Sequence, residues 1–198
     1  MRRVRDGSFA EAIVVLADDR ALILDAMLAP EIVAAMHDEA LARLGAGGLR
    51  PAGIGPSAAL TPTVRGDCIA WIDPDDPGFG PALELFAAIR DALDELAHLG
   101  ARGLEIQLAV YPPGAGYARH SDLPRVRGAS ERRMTLIVYL GPWQPGDGGE
   151  LELWEPDGAR VIDPIAGRVV VFRPHVEHCV RPVLRGYRSA LSGWLRTV

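Results

Sequence analysis

Residues 134–154 decide the fold, and they read Met134-Thr-Leu-Ile-Val-Tyr-Leu-Gly-Pro-Trp-Gln-Pro-Gly-Asp-Gly-Gly-Glu-Leu-Glu-Leu-Trp154. Two short apolar runs are separated here by a segment rich in glycine and proline. Apolar runs of this length, bounded by residues that favour turns, are typical of β-strands. The stretch therefore predicts two strands joined by a turn-rich connection.

The same pattern continues on both sides of this stretch. Further apolar runs occur at 104–111, 168–172, 179–183 and 189–195, and glycine- or proline-containing turns lie between them. Many short strands at fairly even spacing indicate a sandwich or a jelly-roll barrel. The second half of the chain is therefore predicted to be all β.

The first half of the chain reads helical. Apolar residues recur at near-helical spacing after Pro30 until Gly45, and again from Gly80 to Leu99. Residues 45–64, which are rich in glycine, proline, alanine and serine, predict a long loop between the two helices. We expect one α+β domain over residues 1–198. In it, residues 103–198 form a double-stranded β-helix (jelly-roll) barrel, and the helices of residues 1–102 pack on one of its sheets.

The composition excludes several classes of function. All 21 basic residues are arginine, so the chain has no lysine for a Schiff base or a phosphate-binding P-loop. The net charge of −5 argues against nucleic-acid binding and against a polybasic membrane anchor. Two cysteines, no signal-peptide pattern and no apolar run long enough to span a bilayer lead us to expect a cytoplasmic protein.

The tripeptide His120-Ser121-Asp122 is the strongest candidate for a metal site. If it lies in a strand, the imidazole of His120 and the carboxylate of Asp122 project to the same face. Together with a distal histidine, such a pair forms the triad of two histidines and one carboxylate that holds Fe(II) with open positions. The sequence therefore predicts an iron site here.

Two histidines compete for the distal position, because the segment His175-Val176-Glu177-His178 carries one at each end. We assign the metal ligand to His178 and place His175 at the rim of the site. The alternative, in which His175 replaces His178 as the ligand, stays open at this point.

Arg188 is the candidate for binding an anion beside the metal. It follows His178 across a turn at residues 184–187, which predicts successive antiparallel strands with both side chains facing the barrel interior. A buried guanidinium is costly unless a carboxylate meets it. A dicarboxylic cosubstrate, bound to the iron by its other end, would supply that carboxylate.

Several longer motifs occur in a fixed order along the chain. They are Arg65-Gly-Asp-Cys-Ile-Ala-Trp-Ile72, Tyr111-Pro-Pro-Gly-Ala-Gly-Tyr-Ala-Arg-His-Ser-Asp122, Arg133-Met-Thr-Leu-Ile-Val-Tyr-Leu140, Gly148-Gly-Glu-Leu151, Val170-Val-Phe172, His178-Cys-Val-Arg-Pro-Val183, and Arg188 with Trp194. Over residues 20–196 they resemble the 2-oxoglutarate/Fe(II)-dependent dioxygenases. Within these, they resemble the prolyl 4-hydroxylase branch of the hypoxia-sensing prolyl hydroxylases and their bacterial relatives.

The resemblance implies roles for particular residues. His120, Asp122 and His178 would bind Fe(II), and Arg188 would bind the distal carboxylate of 2-oxoglutarate. The residues implied to line the cosubstrate pocket with Arg188 are Tyr111, Tyr139, Ser192 and Trp194. Arg65 and Asp67 correspond to a pair that fixes a substrate-covering loop, and residues 45–64 correspond to that loop.

The function implied by the resemblance is hydroxylation of prolyl residues in a protein, for example a translation factor such as EF-Tu. The reaction would consume O2 and 2-oxoglutarate and release succinate and CO2, with ascorbate as an optional addition. Two alternatives remain. One is the same chemistry on a free amino acid or a small biosynthetic intermediate, and the other is a jelly-roll module that binds a metal without oxygenase activity.

Overall fold

The computed structural model describes residues 15–53, 59–123 and 131–197. Within these ranges lie two long helices, α1 (Pro30–Gly45) and α2 (Gly80–Ala97). The strands are β1 (Leu22–Leu24), β2 (Arg50–Pro51), β3 (Cys68–Trp71), β4 (Gly103–Tyr111), β5 (Tyr117–His120), β6 (Arg132–Tyr139), β7 (Leu151–Glu155), β8 (Gly158–Ile162), β9 (Val169–Phe172), β10 (His178–Val180) and β11 (Arg188–Arg196).

The strands form two antiparallel sheets. The large sheet has the order β1-β9-β6-β11-β4-β3-β2, and the small sheet has the order β5-β10-β7-β8. Strands distant in sequence are neighbours in both sheets, as in a jelly roll. The fold is the double-stranded β-helix that the sequence predicts, and the expectation of an α+β class is confirmed.

Strict alternation of side chains gives the large sheet two different faces. On β11, Leu191 and Leu195 pack with Phe86 of α2 in one apolar cluster, so this face carries the helices. Ala190, which precedes Leu191 and points to the other face, packs with residues of the small sheet such as Leu153. The inner face of the large sheet therefore looks into the space between the two sheets.

The ends of both helices follow from local sequence. Pro30 opens α1, where its missing N–H has no intrahelical partner to lose. His98 ends α2 in the left-handed conformation, at φ 48°. Within the described ranges, no helix is both long enough and apolar enough to cross a bilayer.

The sequence missed several strands. The short strands β1, β2 and β3 lie towards the two ends of the large sheet, and they are only three, two and four residues long, too short to show a periodic pattern. β2 falls inside the predicted loop at 45–64, so that loop is shorter than expected. Residues 54–58 of the same loop lie outside the described residues. β8 was also missed, because only one of its five residues is buried.

Candidate metal centre and cosubstrate pocket

His120, Asp122 and His178 converge at one point between the sheets. Their potential ligand atoms all lie within 4.8 Å of one another, and they form the one such cluster in the part of the chain that the structure describes. Nε2 of His178 lies 3.7 Å from Oδ2 of Asp122, and Nε2 of His120 lies 3.9 Å from Oδ1. These separations leave room for a cation among the three groups.

Strand pairing sets the two histidines side by side. His178 of β10 is the direct partner of His120 of β5, and their ring centroids are 4.2 Å apart. Directly opposed residues of an antiparallel pair project to the same face. The pairing of β5 with β10 therefore brings His178 next to His120, although the two residues are 58 positions apart in the sequence.

Both imidazoles are oriented by their own backbones. Nδ1 of His120 lies 2.8 Å from the carbonyl oxygen of Ala118, and Nδ1 of His178 lies 3.0 Å from that of Val176. A carbonyl only accepts, so each Nδ1 carries the proton and donates it. The lone pair of each Nε2 is left to face the cluster, as in histidines that ligate metals.

Asp122 reaches the site differently from the prediction. β5 ends at His120, so the pair does not lie within one strand. Asp122 lies just beyond, where its backbone N–H donates to the carbonyl of Pro174 (2.9 Å). Its Oδ2 accepts a hydrogen bond from the Thr135 hydroxyl at 2.8 Å. The carboxylate is thus aimed by contacts outside β5 rather than by the period of a strand.

The ionisation states suit a cation. Burial lowers the pKa of His120 to about 4, and the neighbouring His178 acts in the same direction. Burial raises the pKa of Asp122, but the adjacent His178 and His120 outweigh this effect and the pKa lies below its ordinary value. At neutral pH His120 is therefore neutral and Asp122 is ionised, which are the forms that bind a metal.

His175 lies away from this cluster. Its side chain is half exposed, and its Nε2 lies 3.0 Å from Oδ1 of Asp19 on the surface. His178, three residues later, is 4% exposed. The geometry therefore favours His178 over His175 as the third ligand.

Arg188 is buried in the barrel, at 8% exposure. The sequence expected it on a strand next to that of His178, but β10 and β11 belong to opposite sheets and face each other. Its guanidinium carbon lies 4.9 Å from the ring centre of Tyr111 and 5.1 Å from that of Tyr139. Among the described residues, no carboxylate forms an ion pair with Arg188.

Among the described residues, three buried side-chain polar atoms have no hydrogen-bond partner, namely Nε of Arg188, the hydroxyl of Tyr139 and Nε1 of Trp194. Burial raises the pKa of the Tyr139 hydroxyl, so this group is a neutral donor at neutral pH. A buried cation and a buried hydroxyl without acceptors are costly. A carboxylate from a ligand would satisfy both, so the residues present fit a dicarboxylic cosubstrate.

The other residues assigned to the pocket share its walls. Tyr111 pairs directly with Arg188 across β4 and β11. Ser192 and Trp194 alternate with Leu191 and Leu195, so they lie on the inner face of β11. The Trp194 indole also lies close enough to Asp122 to lower its pKa.

Arg65 connects the upstream segment to the metal cluster. It forms an ion pair with Asp67 (Nε to Oδ1, 2.8 Å) and donates to Oε1 of Gln107 at 3.0 Å. Its guanidinium carbon lies 4.7 Å from the ring centre of Tyr117, which in turn stacks on His120 at 3.6 Å. Arg65 and Asp67 thus support the wall behind His120, and their action on the loop at 45–64 stays a prediction.

Sequence reasoning missed Thr135 and Gln107. Each is a buried polar residue with an apolar residue on either side, Thr135 in β6 and Gln107 in β4. Both lie on the inner face, opposite Trp194 and Ser192 of β11 respectively. A lone polar residue inside an apolar run was therefore the available signal.

Comparison with known proteins gives a consistent result. Residues 106–196 match the model of the 2OG-Fe(II) oxygenase superfamily. A crystal structure of a Pseudomonas putida prolyl-4-hydroxylase is 34% identical, with a TM-score of 0.84 over 95% of this chain and 98% of that one. A Trichoplax adhaerens prolyl hydroxylase, solved in complex with a peptide fragment of the hypoxia inducible factor oxygen degradation domain, is 25% identical. Its TM-score is 0.83 over 96% of this chain and 90% of that one.

Curated relatives match over a shorter range. A PKHD-type hydroxylase of Maricaulis maris is 34% identical over 93 residues, which make up 47% of this chain and 42% of the relative. One of Parvibaculum lavamentivorans is 33% identical over 98 residues, 48% of this chain and 43% of the relative. The matched region thus spans less than half the length of these relatives.

Proposed function

Because the chain belongs to the 2OG-Fe(II) oxygenase superfamily, as a member of its prolyl hydroxylase family, we propose that it is an Fe(II)- and 2-oxoglutarate-dependent hydroxylase of prolyl residues in a protein substrate. The observation that carries the proposal is the convergence of His120, Asp122 and His178 within 4.8 Å. In this proposal residues 103–198 are the catalytic jelly roll and residues 1–102 support it.

Iron would be held by Nε2 of His120, Nε2 of His178 and the carboxylate of Asp122. Two neutral imidazoles and one carboxylate leave a net positive charge on Fe(II) and leave coordination positions free. The backbone carbonyls that accept from the two Nδ1 atoms fix the rings before the metal arrives. Little reorganisation is then needed on binding.

Arg188 and Tyr139 would anchor the far carboxylate of 2-oxoglutarate. The guanidinium offers a charged fork and the phenol one further donor, and both groups are buried. When bound, Fe(II) and 2-oxoglutarate supply the oxidising chemistry, in which O2 yields succinate, CO2 and a hydroxylated C–H bond. The protein orients the cosubstrate and shields the site.

A polypeptide substrate is supported by the surface around the metal cluster. Trp71 is 51% exposed and its ring lies 6.0 Å from that of Trp194. Leu123, next to Asp122, is 47% exposed, and Val64, whose carbonyl accepts from the backbone of Ala118 in β5, is 36% exposed. Large apolar side chains grouped around a site are typical of protein-binding surfaces.

Succinate formation tests this function. The protein would be supplied with Fe(II), 2-oxoglutarate, O2 and synthetic peptides that each contain one proline, including segments of bacterial translation factors. Matched peptides carry alanine in place of proline. We expect succinate above the background without peptide, and a mass gain of one oxygen atom on a proline-containing peptide but not on its alanine partner.

The same assay, run with free amino acids instead of peptides, tests the small-molecule alternative. Hydroxylation of free L-proline or another amino acid, with no peptide modified, would replace the protein substrate by a small one. Absence of 2-oxoglutarate consumption under every condition, while the iron is bound, would contradict a hydroxylase and leave a metal-binding module.

A further inference from the structure

Asp122 is the one member of the metal cluster that lies outside a strand. His120 and His178 lie in paired strands, whereas Asp122 follows the end of β5 and has no ladder partner. Its backbone carbonyl is instead held by Arg132, whose Nη1 donates to it at 3.2 Å. Besides its hydrogen bonds with Pro174 and Thr135, the position of Asp122 therefore depends on where the Arg132 guanidinium is placed.

Glu105 places that guanidinium. Oε2 of Glu105 accepts from Nε of Arg132 at 3.3 Å and from its Nη2 at 3.1 Å, which leaves Nη1 for Asp122. Oε1 of Glu105 accepts from Arg196, so the carboxylate is itself held from a second side. The Glu105 side chain is 29% exposed and that of Arg132 21%, so water only partly screens the pair.

Trp194 also contacts Arg132. The guanidinium carbon of Arg132 lies 4.0 Å from the centre of the Trp194 ring. On β11, Trp194 is the register partner of Glu105 in β4 and of Thr135 in β6. Thr135 donates to the Asp122 carboxylate. This row across the large sheet thus holds the side chain of Asp122 directly, through Thr135, and its backbone indirectly, through the contacts of Glu105 and Trp194 with Arg132.

We infer that Glu105 is a positioning residue for the metal ligand Asp122, acting through Arg132. The inference rests on the proposed function, because it concerns the same metal site. Neither Glu105 nor Arg132 belongs to the motifs assigned to iron or 2-oxoglutarate. Residues that orient metal ligands from outside the coordination sphere change metal affinity by about 10- to 100-fold when removed.

Co(II) binding tests the inference without catalysis. The dissociation constant would be measured from tryptophan fluorescence and from the visible absorbance of bound Co(II). We expect Glu105→Gln to weaken Co(II) binding by about tenfold, and Arg132→Gln by at least as much. If Glu105 acts through Arg132, the double variant binds no more weakly than Arg132→Gln alone.

Glu39→Gln is the matched control. Glu39 also accepts from an arginine, Arg43, which has a second acid partner in Asp76, but it lies on α1. The Glu39→Gln variant should have a Co(II) dissociation constant within twofold of the wild-type value. The melting temperature of each metal-free variant is measured alongside, and Glu105→Asp, which keeps the charge, should recover part of the affinity.

The outcomes separate the two proposals. Wild-type protein that binds no Co(II) would overturn the proposed metal site and this inference together. Wild-type binding with unchanged affinity in Glu105→Gln would overturn the inference alone. Additive losses in the double variant would also overturn it, because Glu105 would then act by a route other than Arg132.

Discussion

His120 and His178 are register partners in the antiparallel pair β5–β10, and their rings lie 4.2 Å apart. The two strands meet in the small sheet, while Arg188 approaches from β11 of the large sheet. The candidate site is thus built between the sheets, with the metal ligands on one wall and the cosubstrate anchor on the other. Metal binding and 2-oxoglutarate binding can therefore be tested separately.

Arg188→Lys should bind the metal as wild type does and bind 2-oxoglutarate more weakly. Lysine retains the charge but replaces the planar fork with a single ammonium group. Loss of one charge-assisted hydrogen bond costs about 1.5–3 kcal/mol, or roughly 10- to 100-fold in affinity for 2-oxoglutarate. Calorimetric titration of the Co(II)-loaded protein with 2-oxoglutarate measures this affinity. Arg185→Lys, on an exposed arginine paired with Asp147, is the control, and an equal loss there would contradict the assignment.

Tyr139→Phe should act in opposite directions on stability and on binding. The Tyr139 hydroxyl is buried without a partner, so its removal relieves an unmet donor and raises the unfolding free energy of the ligand-free protein by about 1 kcal/mol. The same change removes a donor to 2-oxoglutarate and weakens its binding about tenfold. Urea unfolding and titration measure the two effects. A variant that is both less stable and unchanged in binding would refute this role.

Gly149→Ala should disturb Arg188 through space. Gly149 has φ +76°, and an added Cβ would lie 3.0 Å from Cδ of Arg188 and 3.2 Å from Cγ2 of Val183. Gly100, at φ +65° with open space around it, is the matched control. Both alanine variants should lose about 1 kcal/mol of stability from backbone strain. Only Gly149→Ala should bind 2-oxoglutarate more weakly, and equal binding by the two variants would exclude the contact.

The metal-free protein should lose stability as the pH falls from 6.5 towards 4. Burial lowers the pKa of His120 to about 4, so between these values the unfolded chain binds a proton that the folded protein does not. The contribution of His120 to the free energy of unfolding is fully present above pH 6.5. It is lost progressively as the pH falls towards 4, by on the order of 3 kcal/mol.

Urea unfolding at several pH values checks this dependence. His120→Asn, which cannot titrate in this range, should flatten the profile between pH 6.5 and 4. A variant whose profile keeps the wild-type slope would show that another group is responsible.

The sequence predicted the barrel and its main strands because their apolar runs are separated by glycine and proline. It also brought His120, Asp122 and Arg188 to attention, since their residue types and spacing carry chemistry. It could not give the β5–β10 register, because that pairing depends on the closure of the sheets. For the same reason it placed Asp122 within a strand. It missed Thr135 and Arg132, which contact Asp122 only through tertiary structure, and Glu105, which contacts Arg132.

The most direct test of the account is the visible charge-transfer band formed when Fe(II) and 2-oxoglutarate are added without oxygen. Wild-type protein and His175→Ala should both show the band, because His175 lies on the surface beside Asp19. His178→Ala should lose it. No band in wild-type protein, or a band that survives in His178→Ala and is lost in His175→Ala, would contradict the iron site described here.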